Sequence, residues 1–222
     1  MQINSDFEFQ IKLVIIGDSG VGKTNFIFQF TEGRFSSIHV TTVGFDFKSK
    51  IIKLPKSKKN IKLQIWDTAG QERYMAINKN LFQKVQGIIL MYDLTSRESF
   101  EHVTNWLNLV RQTVSSKTII LVANKLDIQE EKRIVSEEEG EKIARDNNIL
   151  FFEGSGCTGE NVDKIFTTIA ENIYTNLIEE KDDSINNTAS LVLKRKKTKR
   201  EKTMLLIIFY YLYIELIYYK LY

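Results

Sequence analysis

The sequence predicts an α/β fold: a mostly parallel sheet with helices on both faces. Short runs of β-branched and apolar residues alternate with stretches of helical period, and the first such run ends in a glycine loop that opens a helix. At 222 residues, 43% of them apolar, the chain can bury one well-cored domain of about 150 to 200 residues.

Ile11 to Ile16 reads as a buried strand ending at Gly17, and Asn25, Phe26, Ile27 and Phe30 as the start of a helix. Phe45 to Leu54 and Ile61 to Trp66 are β-rich runs joined by Pro-Lys-Ser-Lys-Lys-Asn, a polar turn that predicts an antiparallel hairpin. Gly87 to Tyr92, Thr118 to Ala123 and Ile149 to Phe152 are further short buried strands. Between them, Phe100, Val103, Leu107 and Val110 recur at helical spacing, and Ser136 with Glu139 has the form of a capping box. Val162, Ile165, Phe166, Ile169, Ile173 and Leu177 form a last amphipathic stripe, and the pattern stops near residue 181.

The net charge of +3 is unevenly placed. Residues 1–180 carry 22 basic and 24 acidic side chains, whereas 181–222 carry nine and four. The body has no basic excess with which to neutralise phosphates along a nucleic acid, so nucleic acid is not an expected partner. The single cysteine, Cys157, cannot form an intramolecular disulfide, and residues 1–20 lack a basic then apolar leader. Both point to a reducing, cytoplasmic setting.

Gly17-Asp18-Ser19-Gly20-Val21-Gly22-Lys23-Thr24 matches GxxxxGK[ST] between a strand and a helix, where a phosphate loop has to sit. Its glycines let backbone N–H groups and the helix N-terminus point at phosphate, Lys23 adds a point charge for the β- and γ-phosphates, and the Thr24 hydroxyl can ligate Mg²⁺. The bland alternative, a glycine turn beside a surface lysine, does not account for the flanking strand and helix. Asp67, at the end of a second strand, is a carboxylate suited to hold Mg²⁺ through water. Asn124-Lys125-Leu126-Asp127 follows another strand. The Asp127 carboxylate only accepts hydrogen bonds, so it suits guanine, whose N1–H and N2–H₂ are donors on one edge, and this favours GTP/GDP over ATP.

These motifs in this order resemble the Ras superfamily of small GTPases. Thr42-Val-Gly-Phe-Asp-Phe47, Lys62-Leu-Gln-Ile-Trp66, Ala69-Gly-Gln-Glu-Arg-Tyr74 and Tyr92-Asp-Leu-Thr95 narrow the resemblance to the Rab family over roughly residues 8–178. The resemblance implies a six-stranded mixed sheet with five helices, an N-terminal extension over 1–8, a GTPase domain over 9–178 and a tail over 179–222. It also implies that Phe35 packs against guanine, Thr42 closes over the γ-phosphate and ligates Mg²⁺, Gly70 donates to that phosphate, and Gln71 orients the attacking water. The implied chemistry is GTP hydrolysis driving a conformational switch at the cytosolic face of an endomembrane. No arginine stands ready in the chain itself, so hydrolysis without an activating protein is expected at about 10⁻³ s⁻¹ or less. An exchange factor, an activating protein and effectors are expected at residues 36–48 and 66–82, and the family expectation is a monomer.

Three departures temper the resemblance. The last guanine segment, Ser-Ala-Lys in the family, is Ser155-Gly156-Cys157, which keeps a backbone donor for the base but drops the lysine. The fifth Rab segment becomes Leu81 to Gln86, so the family's aromatic triad reads Phe47, Trp66 and Leu81. The second residue is Gln2 rather than glycine, and the C-terminal residues hold no cysteine, so neither N-myristoylation nor prenylation is expected. Lys194 to Lys202, with seven basic residues, is suited to an anionic leaflet, and Met204 to Tyr222 approaches the ~20 residues of a membrane span despite Glu215. From Leu205 to Tyr222 every residue but Glu215 has a codon of A and T alone, so a translated trailer, a tail anchor and a basic unlipidated tail are all open readings. A second function class, a guanine-nucleotide adaptor that does not cycle, is open because of the altered 155–157 and 81–86 segments, and a P-loop kinase or ATPase is more distant.

Overall fold

In the computed structural model, residues 6–37, 45–68, 82–113 and 117–179 are described. The chain divides into two compact units, Met1–Tyr174 and Thr175–Tyr222, and the sheet and the candidate site lie in the first. Within it run β1 (Phe9–Ile16), α1 (Lys23–Glu32), β2 (Phe45–Lys53), β3 (Asn60–Thr68), β4 (Gly87–Asp93), α2 (Arg97–Glu101), α3 (Val103–Thr113), β5 (Thr118–Asn124), α4 (Glu137–Asn147) and β6 (Leu150–Glu153). Residues 162–174 complete this unit as helix α5, and 175–179 are helical in the second.

The six strands lie in the order β2-β3-β1-β4-β5-β6. β2 and β3 form the antiparallel hairpin that the polar turn predicts, with Phe47 opposite Trp66 and Lys53 opposite Asn60. Every other neighbouring pair is parallel. β4 is buried from end to end, as a central strand covered by helices on both faces must be. One face is closed by α2, α3 and α4, whose Phe100, Val103, Trp106, Leu107, Val110 and Ala144 pack on Val14, Leu90, Tyr92 and Leu121. On the other face, Phe30 of α1 stacks on Phe166 of α5 at 3.9 Å between ring centres, with Phe26 at 5.9 Å from the same ring.

The helices begin and end where local chemistry dictates. Ser136 caps α4 by accepting from the Glu139 N–H while Glu139 accepts from the Ser136 N–H, so the capping box is present. The Glu139 carboxylate also receives Arg97 Nη1 at 2.6 Å, and this guanidinium, with the cap, holds its pKa down to about 2. α1 and α4 both stop at a left-handed residue, Gly33 at φ 63° and Asn148 at φ 53°. The parallel strands therefore present their carboxyl ends, Ile16, Thr68, Asp93, Asn124 and Glu153, along one edge of the sheet. Open α/β sheets bind ligands there, outside the strand ends where the chain turns to opposite sides.

Candidate functional site

The loop from Gly17 to Gly22 leaves β1 and enters α1 through backbone that side chains would obstruct. Gly17 has φ 136° and lies so close to β4 that a Cβ would stand 2.0 Å from the Met91 carbonyl oxygen. Gly22 has φ 95°, and a Cβ there would meet Asn124 Nδ2 at 2.4 Å. Both glycines are thus required by close approach as well as by φ. Lys23 is 5% exposed, and its Nζ donates to Gly17 O at 2.8 Å and Asp18 O at 2.6 Å, folding the ammonium back over the loop. Burial lowers its pKa to about 8, with the charges of Asp67 and Asp18 opposing the shift. The group is still mostly protonated at neutral pH, and a phosphate beside it would stabilise that charge.

Two of the three residues expected at Mg²⁺ meet directly. Thr24 Oγ1 donates to Asp67 Oδ2 at 2.6 Å, joining the first turn of α1 to the end of β3 across 43 residues of sequence. A hydroxyl and a carboxylate at one point make a hard oxygen pair of the type Mg²⁺ takes. Thr42, the third, lies outside the described residues, as do Gly70, Gln71 and Leu81. Thr68, next to Asp67, donates its hydroxyl to Ile15 O at 2.8 Å and so fixes the strand end.

The side expected to take the base is built around Asn124, 3% exposed at the end of β5. Its Nδ2 donates to Val21 O at 2.8 Å and its Oδ1 accepts from Gly156 N at 3.0 Å, so one amide ties the phosphate loop to the 155–157 loop. The Gly156 N–H expected to donate to the guanine oxygen is thus engaged by Asn124, and reaching a base requires this amide to be shared or turned. Ser155, fully buried, donates its hydroxyl to Asp127 Oδ1 and accepts from the backbone N–H groups of Cys157 at 3.1 Å and Thr158 at 3.0 Å. That contact aims the exposed Asp127 carboxylate. Lys125 sits at φ 71°, a left-handed position, and its Nζ pairs with Asp93 Oδ2 at 2.5 Å. Phe35 is 45% exposed, and the segment that carries it is held by Asn25, whose Nδ2 donates to Ser36 O at 2.9 Å while its Oδ1 accepts from Ser36 N at 3.2 Å.

Two contacts at this site are absent from the sequence expectation. Asp18 is held by α3 and the residue that precedes it, through Trp106 and His102. These two stand four residues apart on one helical face, the only trace of the contact that the sequence offers. Asn25, in α1, gave no signal of its hold on Ser36. Of the three triad positions, Phe47 and Trp66 lie on paired strands with their rings 5.4 Å apart, and Phe47 is 51% exposed.

A glycine loop between β1 and α1, tied through Asn124 to the 155–157 loop at the carboxyl ends of a doubly covered sheet, has the form of a P-loop nucleotide-binding protein. A Ras family model matches residues 12–175. The chain is 43% identical to the Ras-related protein RABE1e of Arabidopsis thaliana over 176 residues, 79% of this chain and 80% of that one. It is 42% identical to the Ras-related protein Rab-8B of Bos taurus over 184 residues, covering 82% of this chain and 87% of the relative. RAB1BV of Beta vulgaris is similar at 43% over 176 residues, 79% of this chain and 81% of that protein. The chain belongs to the Ras family of small GTPases, with its similarity to Rab-type members, and it binds guanine nucleotide and hydrolyses GTP to GDP.

Proposed function

We propose that this protein is a Rab-type switch in membrane traffic, cycling between GTP and GDP forms at the cytosolic face of an endomembrane. Residues 9–178 act as the GTPase domain and 179–222 as the tail. The observation that carries the reading is Asn124, whose side chain bonds Val21 of the phosphate loop and Gly156 of the base loop. That contact keeps phosphate and base subsites in register for one nucleotide.

In this reading, backbone N–H groups from Gly17 to Thr24, including those of Ser19, Gly20, Val21 and Gly22, surround the phosphates. Lys23 swings from its carbonyl partners to the β- and γ-phosphates. Asp127 accepts the guanine N1–H and N2–H₂, Asn124 orders the two loops, Lys125 and Phe35 flank the base, and Ser155 and Gly156 close it. Thr24, Asp67 and Thr42 hold Mg²⁺, and the meeting of Thr24 with Asp67 fits that ion. When bound, Mg²⁺ would supply positive charge that offsets the negative charge of the phosphates. Gly70 donates to the γ-phosphate and Gln71 orients the attacking water. Loss of the γ-phosphate releases residues 36–48 and 69–82, and effectors, an exchange factor and an activating protein engage at 36–48 and 66–82.

The test is single-turnover GTP hydrolysis by Gln71→Leu beside wild type, with and without a Rab-activating protein. The variant is expected to stay in its GTP form under both conditions. Unchanged hydrolysis would remove Gln71 from its role, and a wild type that hydrolyses no GTP with any activating protein would leave an adaptor that does not cycle.

A further inference from the structure

The β2–β3 hairpin concentrates one sign of charge. From Lys48 to Lys62 stand seven lysines, with no arginine and no acid among them, in a body whose residues 1–180 are slightly acidic overall. Some of these lysines have local partners: Lys48 pairs with Glu32 at 3.2 Å, Lys59 with Glu8 at 2.6 Å, and Lys50 donates to Phe30 O at 2.6 Å and reaches Asp163. Lys53, Lys56 and Lys58 are exposed and form no salt bridge among the described residues.

Their backbone is held in place. Leu54, fully buried, anchors the turn, its N–H donating to Lys59 O at 2.9 Å and its carbonyl accepting from Lys58 N at 3.0 Å. Glu171 of α5 accepts from Ser57 N at 3.2 Å and Lys56 N at 3.4 Å. The three ammonium groups are thus carried on a fixed turn.

The turn lies at the opposite end of the sheet from the nucleotide. β3 runs from Asn60 at the turn to Asp67 beside Thr24, a length of about 23 Å at ~3.3 Å per residue. The first unit also ends there: Tyr174 makes an edge-to-face contact with Phe9, centroids 5.5 Å apart, and Phe9 is paired with Ile61. Chain that continues from Tyr174 carries the basic run Lys194–Lys202. Ile51, 45% exposed, shares the hairpin face with Lys53 by strand alternation.

We propose that Lys53, Lys56 and Lys58 form a docking surface for the anionic headgroups of a phospholipid bilayer, set so that the nucleotide end of the sheet points away from the membrane. The inference rests on the membrane-switch reading and adds the face by which the domain lies on its membrane. Lysines are point charges without the guanidinium fork, so an all-lysine patch suits diffuse surface charge better than the geometric recognition of a single phosphate or a base edge. Ile51 gives that face an apolar contact for the headgroup boundary, and both the patch and the chain exit are at one end.

The test is binding of the full GDP-loaded chain to vesicles of phosphatidylcholine alone and of phosphatidylcholine with about a third phosphatidylserine at moderate ionic strength. The wild type is expected to prefer the anionic vesicles. Lys53→Gln, Lys56→Gln and Lys58→Gln together are expected to weaken that binding roughly a hundredfold, from about fivefold per lysine near the surface. The three Lys→Arg changes are expected to leave it as it was, and GDP retention to be unchanged in both variants. The inference is overturned if the triple glutamine variant binds anionic vesicles like wild type, if wild type ignores them, or if a DNA duplex or a soluble inositol polyphosphate binds the patch in preference to them. Failure of wild type to bind GDP is a separate result that counts against the switch reading itself.

Discussion

Asp18 of the phosphate loop is held from both carboxylate oxygens by His102 and Trp106. His102 Nδ1 lies 2.6 Å from Oδ2, and Trp106 Nε1 donates to Oδ1 at 2.8 Å. A carboxylate only accepts, so the imidazole donates its Nδ1–H and the pair is ionic when His102 is protonated. The contact fixes the Gly17–Gly22 loop, proposed to surround the phosphates, against the helical layer next to it.

This pair gives the loop a pH dependence of definite sign. The hydrogen bond to Asp18, with the charges of Asp18, Glu98 and Glu101, raises the pKa of His102, and partial burial opposes the shift. Protonation is thus favoured in the folded state, so the stabilisation is complete below the unfolded value of about 6.5 and is lost as pH rises through the folded pKa. The side chain is 43% exposed, so screening keeps the effect under about 1 kcal/mol. The difference in melting temperature between wild type and His102→Asn is expected to be largest near pH 6 and to shrink by pH 8.5. A difference that grows with pH would reverse the assignment.

Thr24 and Asp67 test the metal side. Thr24→Ala removes the hydroxyl but leaves the loop backbone and Lys23 in place. GDP release with excess Mg²⁺ is expected to quicken about tenfold or more, toward the rate wild type shows with a chelator. Release from the variant that stays as chelator-sensitive as wild type would separate Thr24 from the ion.

Ser155 tests the base side. Its hydroxyl is the acceptor for two backbone N–H groups and the donor that aims Asp127. Ser155→Ala removes this partner from two part-buried N–H groups and from Asp127, at a cost of about 1–3 kcal/mol. A melting temperature lower by about 3–9 °C is expected, with GDP binding about tenfold weaker. Loss of stability with no loss of GDP affinity would confine Ser155 to a structural role.

Sequence spacing made most of this fold legible, because buried strands and amphipathic helices declare themselves locally. β1 begins at Phe9 rather than Ile11, since its outer end alternates as it pairs with the hairpin, and β4 and β5 extend one residue further to Asp93 and Asn124. The candidate site was legible where chemistry is written into a contiguous motif, as from Gly17 to Thr24. It was not legible where partners are distant in sequence: Asp18 lies 84 residues from His102, and Asn25 gives no motif for its grip on Ser36. The bond from Gly156 to Asn124 was hidden for the same reason, since spacing shows that an amide is available but not which acceptor it has found.

The most direct measurement is displacement of labelled GDP from the purified chain by GTP and by ATP. GTP is expected to compete at close to equal concentration and ATP to fail even at about a thousandfold excess, because adenine offers an acceptor where the proposed contact with Asp127 requires a donor. Displacement by ATP at concentrations like those of GTP would contradict the guanine assignment, and with it the account of this chain as a guanine-nucleotide switch.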